Sequence, residues 1–318
     1  VLVLSENMKW NRRQFIKTAG LASGAVGGTA AESEGCGVAI GTYGLQSFQL
    51  ADAIRVVGET GFDAVEIAVI PGTTGDPASA FDSAEKRKVI RSMAEDNGLR
   101  ICGLMTNLKP EEDDKKHLAQ LYALRDLVEL AQELAPGHPP IIQTILGGKD
   151  WESSRGLFRD RLANWNQILA DQKGYLSIKP HRSHAMSTPS QANWILEQLG
   201  FPPRLRMVYD YSHYAFHEPD LSIAESVADA FPITNYVAVK DAVEIDGKVQ
   251  FALVGESDSW DQAEIVRSFY LGGYRGDFCC EVSSQIWRDN PSYDPEEATR
   301  ICYRNLVAAF ERAGVARS

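Results

Sequence analysis

Charged and polar side chains close the chain's apolar runs one after another. Glu66 sits in the run Phe62–Val69, Gln143 and Thr144 in Ile141–Leu146, and Lys179 and His181 near the end of Tyr175–His181. Asp210 ends Arg206–Asp210 and His213 follows it; Lys240 and Asp241 end Tyr236–Asp241, and Glu281 and Ser283 stand at the end of Asp277–Val282. A lone charge is costly to bury without a partner. Charges that recur at one end of several apolar runs therefore read as a set that satisfies itself at a shared site. Carboxylate, ammonium and imidazole are the groups of proton transfer and of anion recognition. The stretch Pro180-His181-Arg182-Ser183-His184 adds a loop suited to receiving a carboxylate or a phosphate. His181 has a second reading as a ligand to a relocated metal. His138 and His217 carry no such pattern and read as ordinary surface or packing residues.

The elements that must position these groups alternate along the chain. Eight strand-like runs begin with Val38–Tyr43 and end with Asp277–Val282; Leu99–Met105 completes the set between Phe62–Val69 and Ile141–Leu146. Each is followed by a helical pattern: Leu50–Thr60, 82–97, 112–134, 154–172, Pro189–Leu199, 221–230, Trp260–Leu271 and Pro295–Ala313. Several of these end in a glycine, as helices commonly do. Strand and helix in alternation imply a parallel sheet. Eight such units fit a single closed (β/α)8 TIM barrel, with chemistry at the C-terminal strand ends. An open doubly wound sheet usually carries a glycine-rich phosphate turn after its first strand, and Gly41-Thr42-Tyr43-Gly44 lacks that spacing. Trp151 and Trp287 fall just past strands four and eight, where aromatic rings stack on sugar faces or simply pack the rim.

Of 318 residues, 44% are hydrophobic and 24% charged, a composition that supports a sizeable core. The net charge of −11 argues against nucleic acid as the usual ligand. Five cysteines at positions 36, 102, 279, 280 and 302 show no metal spacing and are read as small buried apolar residues. Cys279 and Cys280 are neighbours in one strand and should face opposite sides.

Residues 1–31 read as an address rather than as fold. Arg12-Arg13 is followed by Gln14-Phe15-Ile16-Lys17, a weakly apolar Gly- and Ala-rich stretch, and small residues Thr29-Ala30-Ala31. This resembles a twin-arginine signal peptide, with Met8 a candidate start and residues 1–7 an over-extended reading frame. The expectation is an exported, periplasmic protein that engages the twin-arginine export machinery. The apolar stretch is too short and glycine-rich for a stable membrane anchor. The barrel is expected over 32–318, and no sequence feature assigns an oligomeric state.

Four stretches carry a family resemblance: Gly61-Phe-Asp-Ala-Val-Glu66, Val208-Tyr-Asp-Tyr-Ser-His213, Val239-Lys-Asp241 and Gly273-Tyr-Arg-Gly-Asp-Phe-Cys-Cys-Glu281. With them the chain resembles the xylose isomerase-like sugar isomerase/epimerase barrels, a superfamily that also holds endonuclease IV. The resemblance spans nearly all of residues 38–315. It implies a small-molecule carbohydrate as substrate. In the ketose epimerases of this family, a divalent metal is held by Glu, Asp, His and Glu at strands five to eight, and two of those carboxylates exchange the substrate's proton. Asp210 and Glu281 match, and His213 matches a substrate-contacting histidine. Lys179 stands where the strand-five Glu is expected, and Ala238 where the strand-seven His is expected.

A divalent ion wants several oxygen or imidazole ligands, and an adjacent ammonium repels it. The expectation is that the Lys179 ammonium takes the vacated metal position between Asp210 and Glu281. The resemblance makes Asp210 and Glu281 the candidate metal ligands and His213 a substrate contact; together with the clustering at the strand ends, Glu281 and Lys179 become the catalytic candidates, and His181, Glu66 and Lys240 join His213 as the substrate-binding set. Lys179 keeps three readings: structural ion pair, cation for a substrate oxygen, or Schiff-base nucleophile. The implied chemistry is proton transfer next to a carbonyl, as isomerase or epimerase. The same enolate would serve a metal-independent keto-sugar lyase or dehydratase, and a non-catalytic carbohydrate-binding barrel is the third reading. Endonuclease activity needs a multi-zinc histidine cluster that the matching strand ends lack.

Overall fold

A computed structural model describes residues 35–318. The expected signal peptide, 1–31, lies outside the described residues. Strands β1 (Gly37–Gly41), β2 (Ala64–Ala68), β3 (Arg100–Met105), β4 (Ile141–Thr144), β5 (Leu176–Ile178), β6 (Leu205–Tyr209) and β7 (Thr234–Val239) run parallel. A hairpin follows, β8 (Asp241–Ile245) and β9 (Lys248–Ala252), and then β10 (Asp277–Cys280). The order β1-β10-β7-β6-β5-β4-β3-β2 closes into an eight-stranded barrel, the (β/α)8 architecture expected from the alternation. The helices are α1 (Leu50–Thr60), α2 (Pro77–Ala80), α3 (Ala84–Asp96), α4 (Asp114–Leu134), α5 (Trp151–Gln172), α6 (Pro189–Gln198), α7 (Ile223–Ala230), α8 (Gln262–Gly272), α9 (Ser284–Trp287) and α10 (Pro295–Ala313).

Local chemistry sets the helix ends. At α10, Asp294 accepts from the backbone N–H groups of Glu296 and Glu297 at 2.9 and 3.1 Å, and Pro295 occupies the first helical position. This satisfies donors that a helix start otherwise leaves unpaired. No described helix is long and apolar enough to cross a membrane.

Two layers of apolar side chains result. The larger lies between barrel and helices and includes Trp165, Phe269, Phe278 and Phe310. The smaller fills the barrel itself with Ala39, Ala64, Val208, Tyr236, Ala238 and Cys279. Cys279 faces the barrel interior and Cys280 the helical layer, as strand alternation requires. All five cysteines are free thiols. At the N-terminal end, Arg100 on β3 makes a bidentate pair with Asp277 on β10, at 2.7 and 2.8 Å. A Cβ on Gly37 would lie 2.0 Å from Asp277 Oδ1, so glycine lets that pair pass over β1.

Four strands stop short of the sequence reading at the site: strand six ends at Tyr209 and strand eight at Cys280, leaving Asp210 and Glu281 just past them. Strand five stops at Ile178, leaving Lys179 and His181 beyond it. Strand seven stops at Val239, and Asp241 opens the β8–β9 hairpin instead of ending the strand. The hairpin turns at Asp246-Gly247, both in the left-handed region (φ 51° and 71°). An Asp-Gly pair of that kind is a strong two-residue turn signal.

Candidate active site

The C-terminal strand ends bring four charges into one network. Lys179 follows β5, its N–H donating to the Thr144 carbonyl at 2.9 Å. Asp210 follows β6 and is fully buried. Lys240 follows β7, and Glu281 follows β10 with its N–H on the Val239 carbonyl at 3.0 Å. Lys240 Nζ donates to Asp210 Oδ2 at 2.5 Å and to Glu281 Oε1 at 2.8 Å. Lys179 Nζ lies 2.7 Å from the same Asp210 Oδ2 and donates to Glu281 Oε2. Asp210 Oδ1 accepts from Ser212 Oγ at 2.5 Å. Two ammoniums thus balance two carboxylates, the condition under which buried charge is tolerable.

The charges set one another's proton affinity. Burial pushes the Glu281 carboxyl up, but Lys179 and Lys240 together outweigh it and bring its pKa down to about 2. Asp210 is held well below the usual carboxylate range by the same two ammoniums, again against burial. Burial opposes the charge on Lys179, yet Asp210 and Glu281 raise its pKa overall. A lysine so held is a poor Schiff-base nucleophile, because nucleophilic attack needs the neutral amine.

The imidazoles sit above this network. His213, on a short 3-10 turn after Asp210, places Nε2 3.2 Å from Lys240 Nζ. Burial and then Lys240 lower its pKa, so it is neutral. His181 packs against His213 with ring centroids 4.1 Å apart and the rings tilted by 38°. Burial first, then Lys179 and Lys240, take its pKa down to about 3. Two neutral imidazoles therefore cap two ammoniums.

A cavity of about 730 Å³ opens onto Lys179, His181, His213 and Glu281. Lys240 and Glu66, expected among the substrate-binding residues, do not line it. Lys240 is sealed beneath the network. Glu66 is buried lower in the barrel, where it accepts from Tyr236 Oη at 2.7 Å and from Gln143 Nε2. Burial lifts its pKa to about 7, although those two hydrogen bonds pull the other way. Gln143 itself does border the cavity. Asp241 holds Ser257 N at 2.9 Å and Gln262 Nε2 at 2.5 Å, an anchor for the hairpin rather than a cavity group. Arg182 and His184 also lie off the cavity wall.

Of the two tryptophans, Trp287 lines the cavity edge-on to Tyr43 at 5.3 Å, with Arg288 over its ring at 5.4 Å. Trp151 packs against Trp194 instead, at 5.6 Å. Phe251, on β9, is a site residue that the sequence reading missed. Its ring lies 5.1 Å from Lys240 Nζ and 5.2 Å from the His213 ring, and it lines the cavity. The Asp246-Gly247 turn signal would have placed it on a hairpin over the mouth.

Asp210, His213 and Glu281 offer metal-ligand atoms within 4.8 Å of one another. The residues present nevertheless do not fit a divalent ion. Asp210 Oδ2, both Glu281 oxygens and His213 Nε2 are already partners of an ammonium. Ala238, in place of a fourth ligand, offers no donor atom and belongs to the apolar interior of the barrel.

A family model for the xylose isomerase-like TIM barrel matches residues 54–303, and the chain belongs to that family. Solved structures of similar fold include D-psicose 3-epimerase with D-tagatose from Clostridium cellulolyticum H10 (TM-score 0.69, 16% identity, covering 87% of this chain and 99% of that one). The 3-keto-D-glucoside 4-epimerase from E. coli, in its apo form, is another (TM-score 0.62, 13% identity, 87% and 98%). A third is a xylose isomerase-like TIM barrel protein from Mycobacterium smegmatis in complex with magnesium (TM-score 0.65, 17% identity, 87% and 97%). At these identities the likeness is one of fold. None of the curated proteins matches.

Proposed function

We propose that this barrel is a carbohydrate isomerase or epimerase that transfers a proton next to a carbonyl without a metal. One observation carries the reading. Lys179 borders the cavity beside Glu281 and has two acceptors among the described residues, whereas an ammonium has three hydrogens. The remaining hydrogen is available to a substrate carbonyl oxygen. The C–H bond beside that carbonyl then breaks. Its proton passes to a Glu281 oxygen, and its electron pair forms the enediolate whose negative oxygen Lys179 holds. Return of the proton to the former carbonyl carbon, with the hydroxyl proton passing to the former carbonyl oxygen, completes an isomerisation; protonation of the same carbon from the opposite face, with solvent in the cavity as the donor, completes an epimerisation. Glu281 is a weak base while both ammoniums hold it. A substrate oxygen that draws Lys179 away from Oε2 raises the proton affinity of that oxygen when a base is needed.

A second reading is favoured by the same ion pairs. With each Glu281 oxygen held by an ammonium, the barrel is also suited to bind a sugar without turning it over. Solvent deuterium separates the two. Ketohexoses and keto-glucosides are incubated in D2O with chelator and followed by NMR. The expected result is deuterium at the carbon next to the carbonyl, insensitive to chelator, and about 10²–10³-fold slower in Lys179→Met, the usual loss when an oxyanion donor is removed. Sugar binding without any deuterium uptake would establish the binder instead. Uptake accompanied by loss of a leaving group would establish the lyase.

Export belongs to the same proposal and rests on Arg12-Arg13 and the stretch that follows. Cell fractionation should place the protein outside the cytoplasm, and Arg12→Lys/Arg13→Lys should retain it inside.

A further inference from the structure

Lysine carries three N–H groups. Those of Lys240 meet three acceptors: Asp210 Oδ2 at 2.5 Å, Glu281 Oε1 at 2.8 Å and His213 Nε2 at 3.2 Å. The Phe251 ring lies 5.1 Å from Nζ, and the side chain has no solvent exposure. Lys179 shares Asp210 Oδ2 and Glu281 with it but faces the cavity. One ammonium is saturated and sealed, while the other keeps a hydrogen on the open side.

We infer that Lys179 and Lys240 together act as a built-in dication: two fixed charges in the place of a divalent ion, with Lys240 the positioning residue. The sugar reading enters only in calling the cavity-facing cation substrate-facing; the charge replacement stands apart from it. The donor atoms of Asp210, His213 and Glu281 are spaced for one ion. Asp210 Oδ2, both Glu281 oxygens and His213 Nε2 accept from an ammonium instead, and Asp210 Oδ1 accepts from Ser212 Oγ. An incoming cation would have to displace both lysines or sit beside their charge, and like charges in a buried site repel strongly. The arrangement also decides the state of His213. With Lys240 donating to Nε2, the neutral ring carries its hydrogen on Nδ1, which is buried with no acceptor among the described residues.

Two measurements on the intact wild-type chain test this first. Titration with Mn2+ followed by electron paramagnetic resonance should show no ion bound at the mouth. A bound Mn2+ that Glu281→Gln removes would overturn the inference. Imidazole 15N NMR should show His213 with its proton on Nδ1; a proton on Nε2 would overturn the role given to Lys240. Variants then extend the test. Folded Lys179→Ala/Lys240→Ala should gain one Mn2+ per chain, lost again on adding Glu281→Gln, and failure of the folded double variant to bind would overturn the claim that the lysines exclude metal. In Lys240→Met the His213 tautomer should no longer be fixed, and Lys240→Arg should restore it. Absence of any sugar turnover, with these results intact, would remove the enzymatic reading and leave the dication standing.

Discussion

Lys179 and Lys240 place their Nζ atoms on a single oxygen, Asp210 Oδ2, at 2.7 and 2.5 Å. Two buried ammoniums this close are stable only because Glu281 bridges them from the other side, one oxygen to each. The four side chains therefore behave as a unit.

Breaking that unit should be costly. Lys240→Met is expected to lower stability by about 3–5 kcal/mol in urea unfolding, since it leaves a buried carboxylate under-compensated. Asp210→Asn should cost a similar amount. The double variant should cost less than the sum of the two, by about 0.5–3 kcal/mol, because each change removes part of the same network. Strict additivity would show that the two residues do not share it.

Glu66 should make the fold less stable as pH rises. Its pKa is about 7 in the folded chain against an ordinary 4.5, so the native state holds a proton that the unfolded state gives up. The stabilisation is complete below pH 4.5 and is lost as pH climbs through 7, on the order of 3 kcal/mol across the window. Glu66→Gln should flatten that limb of a stability-against-pH curve; an unchanged slope would assign it elsewhere.

His181 acts with the opposite sign. Its folded pKa of about 3 lies below the ordinary 6.5, so its contribution is present above pH 6.5 and is lost as pH falls toward 3. Asp210 and Glu281, whose pKa values are depressed, add to the acid-side loss from the ordinary carboxylate range downward. Thermal unfolding of His181→Gln between pH 6.5 and 4.5 should show a shallower decline than wild type.

Gly103 is a packing constraint on the barrel interior. A Cβ there would lie 2.7 Å from Tyr236 Oη and 3.1 Å from Glu66 Oε2. Gly103→Ala should cost about 1–3 kcal/mol by overpacking. In a Tyr236→Phe background, where the hydroxyl is gone, the same change should cost less. Equal cost in both backgrounds would place the clash elsewhere.

Phe251 covers the sealed lysine. Phe251→Ala should remove about 0.5–2 kcal/mol of cation–π stabilisation, measured by chemical unfolding. Phe251→Tyr, which keeps a ring, should retain most of it.

Much of the fold was readable from local pattern. Apolar runs, amphipathic helices and glycine stops recur along the chain, and these depend on neighbouring residues alone. The errors fell where a local signal was passed over or a boundary was overrun. Asp246-Gly247 marks the hairpin that carries Phe251, and the apolar run through Val239 masks the point where strand seven gives way to it. In the site, the pairing of Lys179 with Asp210 and Glu281 was expected and is observed. Lys240 was expected among the substrate-binding residues and is sealed off from the cavity.

By itself, the sequence determined the alternation of strand and helix, the closure this implies, and the strand ends at which charged residues must gather. Those properties follow from periodicity and from the cost of leaving a charge unpaired inside a core. Only the tertiary structure decided that Lys240 joins the Lys179, Asp210 and Glu281 cluster and how the four share their oxygens. Lys179, Asp210, Lys240 and Glu281 lie far apart in the chain, and their contacts depend on strand register and the reach of each side chain across a closed mouth. That geometry seals Lys240 and leaves Lys179 facing the cavity, although the two residues are chemically the same.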